Sequence, residues 1–302
     1  MALKDVKTKI QATNRTHKVT RAMEAVSAVK MRKTQMTALS GRTYARAALA
    51  VLARLSGSAD LKRNPLAAER PVKNTALVVI TSDKGLAGAL NFGVIKAATA
   101  AIEGKSPDSV RVYAYGRKGE EHFARRGYTI EKAVENKRDD IEVSVMEDLS
   151  RELSAGFVEG LYDEVIAVYS NFKSTFEQIP TARRLLPLSL ENMKQLVADI
   201  VPARGRWSNE VVTDSPAVYE VEPGAEVILN VLVPRLVAVS LYHMLLEGKA
   251  SEHSARMVAM KNASDKSKEL AHALTRKFNK IRQAAITREV SEIVGGREAL
   301  AN

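Results

Sequence analysis

The sequence predicts an α/β protein in which two long terminal helices form an antiparallel coiled coil beside a central α/β domain. Residues 3–55 contain no proline and one glycine, Gly41. About 53 residues can therefore form one helix of roughly 80 Å. Residues 76–190 instead alternate short apolar runs with short amphipathic stretches, which is the pattern of a largely parallel sheet with helices between its strands.

The first helix carries a seam in alternating steps of three and four residues, which indicates contact with another helix. Its members are Leu3, Val6, Ile10, Thr13, His17 and Thr20. The spacing then slips and resumes, first through Ala22, Val26 and Val29 and later through Ala45, Ala48, Leu52 and Leu55. Such a slip predicts a looser supercoil than that of a strict zipper.

The middle of the chain changes period from helical spacing to short apolar runs that are typical of strands. The predicted strands are 76–81, 109–115, 128–134, 163–170 and 176–188, and the predicted helices are 91–102, 118–126 and 145–161. Because helices separate most of the strands, this segment predicts a Rossmann-like α/β domain. Residues 191–225 contain several Pro and Gly residues and predict a connecting segment.

A second long helix is predicted from about 226 to 294, with Pro234 marking a kink or the helix start and Gly295-Gly296 ending it. Its seam runs in steps of four and three without a slip. The members are Leu246, Ala250, His253, Met257, Met260, Ser264, Ser267, Ala271, Leu274, Phe278, Ile281 and Ala285. This stripe predicts a helix that lies along another helix.

Each long helix needs a partner to cover its stripe, and the other long helix can provide it. A compact central domain brings the near ends of the two helices together, so we expect antiparallel pairing and a pair that projects beyond the domain. The predicted organisation is an N-terminal shaft helix at 1–56, the α/β domain at 75–190, a connecting segment at 191–225 and a C-terminal shaft helix at 226–295.

Composition and charge narrow the function classes. The chain has no cysteine, which excludes disulfides and thiolate chemistry, and we find no run of the roughly 18 apolar residues that a membrane span needs. Its net charge of +11 lies at the ends, with +10 over residues 1–54, −4 in the middle and +5 over residues 235–302. Basic ends favour an anionic partner: nucleic acid, anionic lipid or an acidic protein.

The stretch TSDKGLAGALN at 81–91 is a glycine-containing turn between a strand and a helix, where phosphates bind in some folds. It matches neither the P-loop nor the dinucleotide pattern, so Gly85 and Gly88 are interpreted as turn and packing residues. The five histidines are scattered, and no cofactor or catalytic group is expected. On residues alone, a basic coiled-coil nucleic-acid-binding protein and a nucleotide-dependent enzyme remain alternatives.

Four segments resemble the gamma subunit family of F-type ATP synthases. They are MALKDVKTKIQATNRTHKVTRAMEAVSAVKMRK (1–33), ITSDKGLAGALN (80–91), SEHSARMVAMKNAS (251–264) and NKIRQAAITREVSEIV (279–294). The chain departs from the usual pattern at Ala87, where the family often has cysteine, at Ala89, where it often has glycine, and at Gly248-Lys249, where it is usually bulkier.

The resemblance implies a non-catalytic central rotor shaft that couples proton flow through a membrane ring to ATP synthesis. The implied partners are the alpha and beta subunits of the catalytic ring, the epsilon subunit and the c-subunit ring, at the cytoplasmic face of the bacterial inner membrane. By the same resemblance, the residues in contact with partner subunits are Met23, Arg282, Gln283, Thr287, Tyr219 and Glu222. An apolar bearing at the shaft tip is expected from Ala284, Ala285, Ile286, Val290, Ile293 and Val294.

Overall fold

The computed structural model describes residues 3–55, 64–137, 143–189, 191–192 and 225–301. The chain forms two compact units. One, which we call the helical unit, comprises residues 1–27 and 256–302, and the other, the sheet unit, comprises residues 28–255. Two long helices pass through both units: α1 from Leu3 to Leu55 and α5 from Ala225 to Ala301.

Helix α5 is longer than the sequence predicts. Pro234 lies inside it and is not its start, and the helix continues through Gly295-Gly296 instead of ending there. Glycine lowers helix stability by about 1 kcal/mol relative to alanine but does not by itself stop a helix. The residues that follow, Arg297 to Ala301, are mostly strong helix formers, so the helical conformation continues.

The predicted slip in the seam of α1 is wrong. Val26 and Val29 are exposed, at 55% and 68%, whereas Ser27, Met31 and Thr34 are buried. The seam therefore keeps its heptad spacing beyond Thr20, although the buried positions change from apolar to mainly small and polar. Leu3, at the helix end, is 36% exposed. Of the later predicted members, the side chains at 45–55 lie outside the described residues.

Threonine can occupy this seam because its hydroxyl finds a partner on its own helix. Thr20 donates to the carbonyl of Thr16 at 2.9 Å, and Thr34 donates to the carbonyl of Lys30 at 3.0 Å. These hydrogen bonds satisfy buried hydroxyls without a group from another helix. A seam traced by apolar residues alone is therefore lost where Ser27 and Thr34 occupy the buried positions.

The predicted seam of α5 is confirmed over most of its length. Its positions from Leu246 to Ile281 are buried or half-buried, including Met260 at 5% and Ala271 at 8%. Ala285, the last predicted member, is exposed. The stripe on α5 therefore marks a covered face that ends near Ile281.

The sheet unit contains a five-stranded sheet in the order β3-β2-β1-β4-β5. The strands are β1 (Thr75–Ile80), β2 (Val110–Tyr115), β3 (Thr129–Val134), β4 (Glu164–Ser174) and β5 (Glu177–Leu186). The first four strands are parallel, and β5 pairs antiparallel with β4 through a hairpin. The predicted strands and the largely parallel sheet are confirmed.

Helices cover both faces of this sheet. They are α2 (Leu90–Ala101), α3 (Arg117–Ala124), α4 (Val143–Val158) and the first turns of α5. One buried cluster joins alternate residues of β1 to α4 and α5, and the other joins the intervening residues to α2 and α3. Because both faces are covered, all six residues of the central strand β1 are buried.

Within the described residues, one stretch has the length and composition to cross a membrane, contrary to the reading from sequence. It lies within α5, between Asn230 and Arg297. The protein itself buries 61% of the most apolar window. This is weak evidence for a span, because the covered core helix of a protein meets the same criteria.

Candidate interaction surface of the terminal helices

In the helical unit, α1 and α5 pack together through a seam with a defined register. His17 Nδ1 lies 3.0 Å from the carbonyl oxygen and 2.9 Å from the hydroxyl oxygen of Ser264. A carbonyl oxygen only accepts hydrogen bonds, so this contact favours the tautomer in which Nδ1 carries the hydrogen. His17 is therefore a seam residue that fixes the pairing of the two helices.

The pairing is antiparallel, and it leaves the C-terminal end of α5 uncovered by α1. The unit joins residues 1–27 to residues 256–302, and His17 meets Ser264. In an antiparallel pair with this register, Leu3 lies opposite about residue 278. Beyond that point α1 has no described residue left to cover α5, which explains why the covered stripe ends near Ile281.

The uncovered end of α5 keeps large apolar side chains on its surface. Ile286, Val290, Ile293 and Val294 are 51%, 53%, 72% and 50% exposed. Their spacing of four, three and one places them along one side of the helix. A cluster of exposed apolar residues along one side of a helix indicates a surface for a partner. We call these four residues the apolar tip.

Three predicted contact residues lie at the start of the apolar tip: Arg282 and Gln283 precede Ile286, and Thr287 follows it. Arg282, Gln283 and Thr287 are all exposed on α5. The Thr287 hydroxyl donates to the Gln283 carbonyl at 3.0 Å, so its oxygen lone pairs point outward as acceptors. The structure therefore gathers these residues within about two helical turns, with side chains available for hydrogen bonds to a partner.

Of the other three predicted contact residues, the structure describes one. Met23 is half-buried on α1 beside the seam. Tyr219 and Glu222 lie outside the described residues. Their predicted role in contacts stays a prediction.

The first turns of α1 carry a strongly basic surface. Lys4, Lys7, Lys9, Arg15, Lys18 and Arg21 are all exposed, and the only acidic residues between 3 and 27 are Asp5 and Glu24. Exposed cations on one helix attract anionic surfaces over roughly 10 Å at moderate salt. The helical unit thus offers a basic surface on α1 and an apolar one on the tip of α5.

The turn after β1 is closed by its own hydrogen bonds, which argues against the nucleotide-binding alternative. Asn91 Oδ1 accepts from the Ser82 amide at 3.0 Å, and Asp83 Oδ1 accepts from the amide of Arg117 at 2.8 Å. Asp83 therefore adds a negative charge to this turn and bonds it to the N-terminus of the neighbouring helix α3, which disfavours a bound phosphate in the turn. Burial and the nearby Asp83 carboxylate both raise the pKa of Tyr115.

Helix α5 also fills the edge of the sheet where ligands usually bind in doubly wound folds. This edge lies at the carboxyl ends of the strands, near the point between β1 and β4 where strand order reverses. A Cβ on Gly248 would lie 3.1 Å from Ile80, the last residue of β1, so the α5 backbone passes directly over that strand end. Lys249 is 1% exposed and donates to the carbonyl of Asn136, beyond β3.

These contacts explain one departure from the resemblance. Gly248 is small because the helix needs close approach to Ile80, and Lys249 is polar because its ammonium reaches a backbone carbonyl. Sequence reasoning missed Lys249, Glu247 and Asp83 as buried residues. The only sequence signal was the interruption of an apolar run by Glu247-Gly248-Lys249.

No group of histidine and acidic residues within the described part of the chain is arranged to hold a metal ion. His17 and His253 lie on the helical seams, and His243 lies 3.5 Å from Glu247 on the same helix. Burial and the neighbouring Arg126 lower the pKa of His122. Each of these histidines is therefore interpreted as a packing residue and not as a metal ligand.

Comparison with known proteins places the chain in a family. A family profile described as ATP synthase matches residues 2–300. The chain is 38% identical over 298 residues to the ATP synthase gamma chain of Moorella thermoacetica, covering 99% of both. It is 37% identical over 304 residues to the ATP synthase gamma chain of Chlorobium phaeobacteroides, covering 99% of this chain and 98% of the relative.

Solved structures agree in fold. The chain is similar, with a TM-score of 0.60 and 25% identity, to a chain in the central stalk and c-ring structure of the Tetrahymena thermophila mitochondrial ATP synthase, covering 82% of this chain and 99% of the other. A chain of the Euglena gracilis mitochondrial ATP synthase has a TM-score of 0.65 at 17% identity, covering 99% and 94% respectively, and supports the fold alone.

The paired long helices of the helical unit leave an apolar tip uncovered, and in the sheet unit α5 fills the edge where ligands usually bind. The chain belongs to the ATP synthase gamma chain family. Nothing in these comparisons favours the nucleic-acid-binding alternative.

Proposed function

We propose that the chain is the central rotor shaft of an F-type ATP synthase and couples proton flow through the membrane ring to ATP synthesis by rotation. The observation that carries this proposal is the apolar tip, which α5 leaves uncovered in a chain of the gamma chain family. An apolar surface on a single helix can turn inside an apolar collar, because hydrophobic contact is not directional. The tip is therefore suited to a bearing.

The coupling follows from asymmetry. Three identical catalytic sites around a symmetric post would have equal affinities for nucleotide. Two different helices present different side chains to each site, and a difference in contact free energy shifts each site between tight and open states. Coupling free energies of about 1–3 kcal/mol, or roughly 5- to 150-fold in affinity, are typical of such linkage. Turning the shaft by a third of a revolution exchanges the three states.

The proposed partners match the surfaces of the helical unit. The exposed cations of α1 face acidic loops of the beta subunits. Met23 lies among these cations on the same helix and contacts the same loops. Arg282, Gln283 and Thr287 bind a catalytic subunit next to the collar formed by the alpha and beta subunits. Electrostatic attraction of this kind contributes mainly orientation and rate of association.

The sheet unit and the connecting segment are assigned the contacts with the epsilon subunit and the membrane ring. We propose that the α/β domain at 75–190 is held by the epsilon subunit, and that Tyr219 and Glu222 in the segment 191–225 contact the c-subunit ring. The shaft helices are those at 1–56 and 226–295. The subunit is non-catalytic and is held through its partners at the cytoplasmic face of the bacterial inner membrane.

Complementation tests this function directly. The chain is expressed in bacteria that lack their own gamma chain, and inverted membrane vesicles are assayed for ATP-driven proton pumping. We expect pumping to be restored and the chain to co-purify with two large nucleotide-binding subunits present in excess. Co-purification with nucleic acid, or intrinsic ATP turnover by the isolated chain, would contradict the proposal.

The contact residues are tested by single substitutions in the same system. We expect Arg282→Ala and Gln283→Ala to lower coupled ATPase activity, because each removes a hydrogen-bonding group beside the apolar tip. Arg125→Ala, which removes an exposed arginine from the end of α3, is the matched control. Wild-type turnover in both test variants would remove Arg282 and Gln283 from the contact surface.

A further inference from the structure

Within the sheet unit, one face of α5 is joined to the backbone of β4 and its hairpin. The three side chains on this face are Glu247, Ser251 and Ser254, spaced by four and three residues, so they lie above one another on the helix. Both serines are 0% exposed, and Glu247 is 5% exposed. We call these three residues the seating face.

Each residue of the seating face bonds to a backbone group. Ser251 donates to the carbonyl of Ser170 at 2.9 Å, and Ser254 donates to the carbonyl of Thr175 at 2.7 Å. Glu247 accepts from the amide of Phe172 at 3.0 Å. The partner groups belong to Ser170, Phe172 and Thr175, at the end of β4 and in its turn, so the helix is bonded along about two turns of its length.

A second set of contacts holds the neighbouring face of the helix. Lys249 donates to the carbonyl of Asn136, and the Asn136 side chain donates to the carbonyl of Thr81 at 2.7 Å. Gly248 places the helix backbone against Ile80. Helix α5 is therefore fixed against the ends of β1 and β4 and against the segment that follows β3.

These contacts resist a particular motion. Apolar packing is not directional, whereas a hydrogen bond weakens steeply when its angle or length changes. Moving a helix along its sequence by one residue rotates its side chains by about 100°, which would break every bond of the seating face at once. The bonds therefore fix the rotation of α5 about its own axis relative to the sheet.

We propose that the seating face is the joint through which torque passes between the sheet and α5. The inference rests on the proposed rotor function. Helix α5 is continuous from Ala225 to Ala301, so rotation imposed at the seating face reaches the residues that pair with α1 and the apolar tip. Glu247, Ser251 and Ser254 are positioning residues: through their bonds to β4 and its turn they hold the rotation of α5 to that of the sheet.

The size of the effect follows from the hydrogen bonds. Each contributes roughly 0.5–1 kcal/mol net, so the loss of two, about 1–2 kcal/mol, changes the balance between a seated and an unseated helix by roughly 5- to 30-fold. The double variant Ser251→Ala with Ser254→Ala removes two bonds and adds no bulk. Alanine also favours the helix, so α5 itself stays helical.

The experiment uses the assembled complex in inverted membrane vesicles. Two quantities are measured: the number of protons pumped per ATP hydrolysed, and amide hydrogen exchange in the segment 170–175. In the double variant we expect ATP hydrolysis to continue, fewer protons to be pumped per ATP, and exchange at 170–175 to accelerate by roughly 5- to 30-fold. The matched control is Ser106→Ala with Ser109→Ala, exposed or half-buried serines before β2, which leaves both quantities unchanged.

Two results would overturn the torque joint. One is faster amide exchange at 170–175 with an unchanged number of protons pumped per ATP, and the other is amide exchange that does not change. If the double variant does not assemble, Ser254→Ala alone is measured by the same criteria. Failure of the unmodified chain to support pumping refutes the rotor function instead. The two failures are therefore distinguishable.

Discussion

The helical unit and the sheet unit bury different kinds of residue. In the helical unit, the seam of α1 places Thr20 and Ser27 at 8% and 3% exposure, and the facing helix adds Ser264 at 3%. In the sheet unit, Leu153 and Phe157 are 0% exposed within a large apolar cluster. One unit packs small polar groups together with a few apolar side chains between two helices, and the other packs mainly large apolar groups between layers.

This difference assigns most of the hydrophobic stabilisation to the sheet unit and most of the proposed partner surface to the helical unit. Burying a large apolar side chain stabilises a fold by about 1.5–3 kcal/mol, and the sheet unit buries many of them. The helical unit buries few and leaves the apolar tip exposed, so a substantial part of its hydrophobic surface is available to a partner. The sheet unit thus covers most of its apolar surface itself, whereas we propose that partner proteins cover the apolar tip of the helical unit.

The largest expected effect compares the same substitution in both units. Phe157→Ala empties a fully buried site in the sheet unit and should lower the free energy of unfolding by about 3–5 kcal/mol. Phe278→Ala acts at a half-buried site in the helical unit, so its effect should be clearly smaller. Chemical denaturation of the purified chain measures both. Equal losses would contradict the comparison.

The next effect concerns Gly116, in the turn between β2 and α3. Its φ is +104°, and an added Cβ would lie 2.1 Å from the carbonyl oxygen of Thr81. Gly116→Ala should therefore destabilise the sheet unit by about 1–3 kcal/mol through backbone strain, and the clash adds to this. Gly85→Ala is the control, because its Cβ would have no neighbour within 4 Å. We would measure both melting temperatures; a Gly116→Ala chain that melts like the control would show the turn to be adaptable.

A smaller, pH-dependent effect is expected at Asp163 in the sheet unit. Burial tends to raise the pKa of this carboxyl, but the amides of Asn74 and Lys73 and the guanidinium of Arg70 lower it overall. A lowered pKa means stabilisation that is present above the unfolded value of about 3.9 and is lost as the pH falls through the folded value.

Asp163→Asn should accordingly destabilise the chain near neutral pH, and the difference from the unmodified chain should shrink below about pH 4. Urea denaturation from pH 7 to pH 3 follows this difference. Asp108→Asn is the control, since that carboxylate is exposed near the start of β2. A difference that does not vary with pH would mean that the charge of Asp163 contributes nothing.

The smallest effect sharpens the description of the uncovered end of α5. Gly295→Ala should stabilise the helix there by about 1 kcal/mol, because alanine loses less backbone freedom and no neighbour lies within 4 Å of its Cβ. Circular dichroism should show equal or slightly greater helix content. A loss of helix would instead indicate that Gly295-Gly296 ends the helix, as the sequence first suggested.

Periodicity predicted the elements well because it reflects which face of each element is covered. The five strands, α1 and most of the α5 seam were found in this way. It failed where burial did not require apolar residues, as at Ser27 and Thr34. Threonine hydroxyls that bond to their own helix hide a polar seam from any analysis based on hydrophobicity.

The contact surface was predicted in part. Arg282, Gln283 and Thr287 were selected by resemblance, and the structure adds that they lie at the start of the apolar tip and that the tip is uncovered. The seating face was not predicted, because Glu247, Ser251 and Ser254 bond to backbone groups about 80 residues earlier in the chain. Nothing in the local sequence identifies partners that are so distant.

The sequence by itself determined the two long helices, the strand-and-helix alternation and the family, since these depend on local spacing and residue type. Only the tertiary structure decided the sheet order, the unbroken seam of α1, the extent of α5 and the burial of Lys249. The physical reason is that a buried polar group is stable only when a partner is present, and its partner is set by the fold.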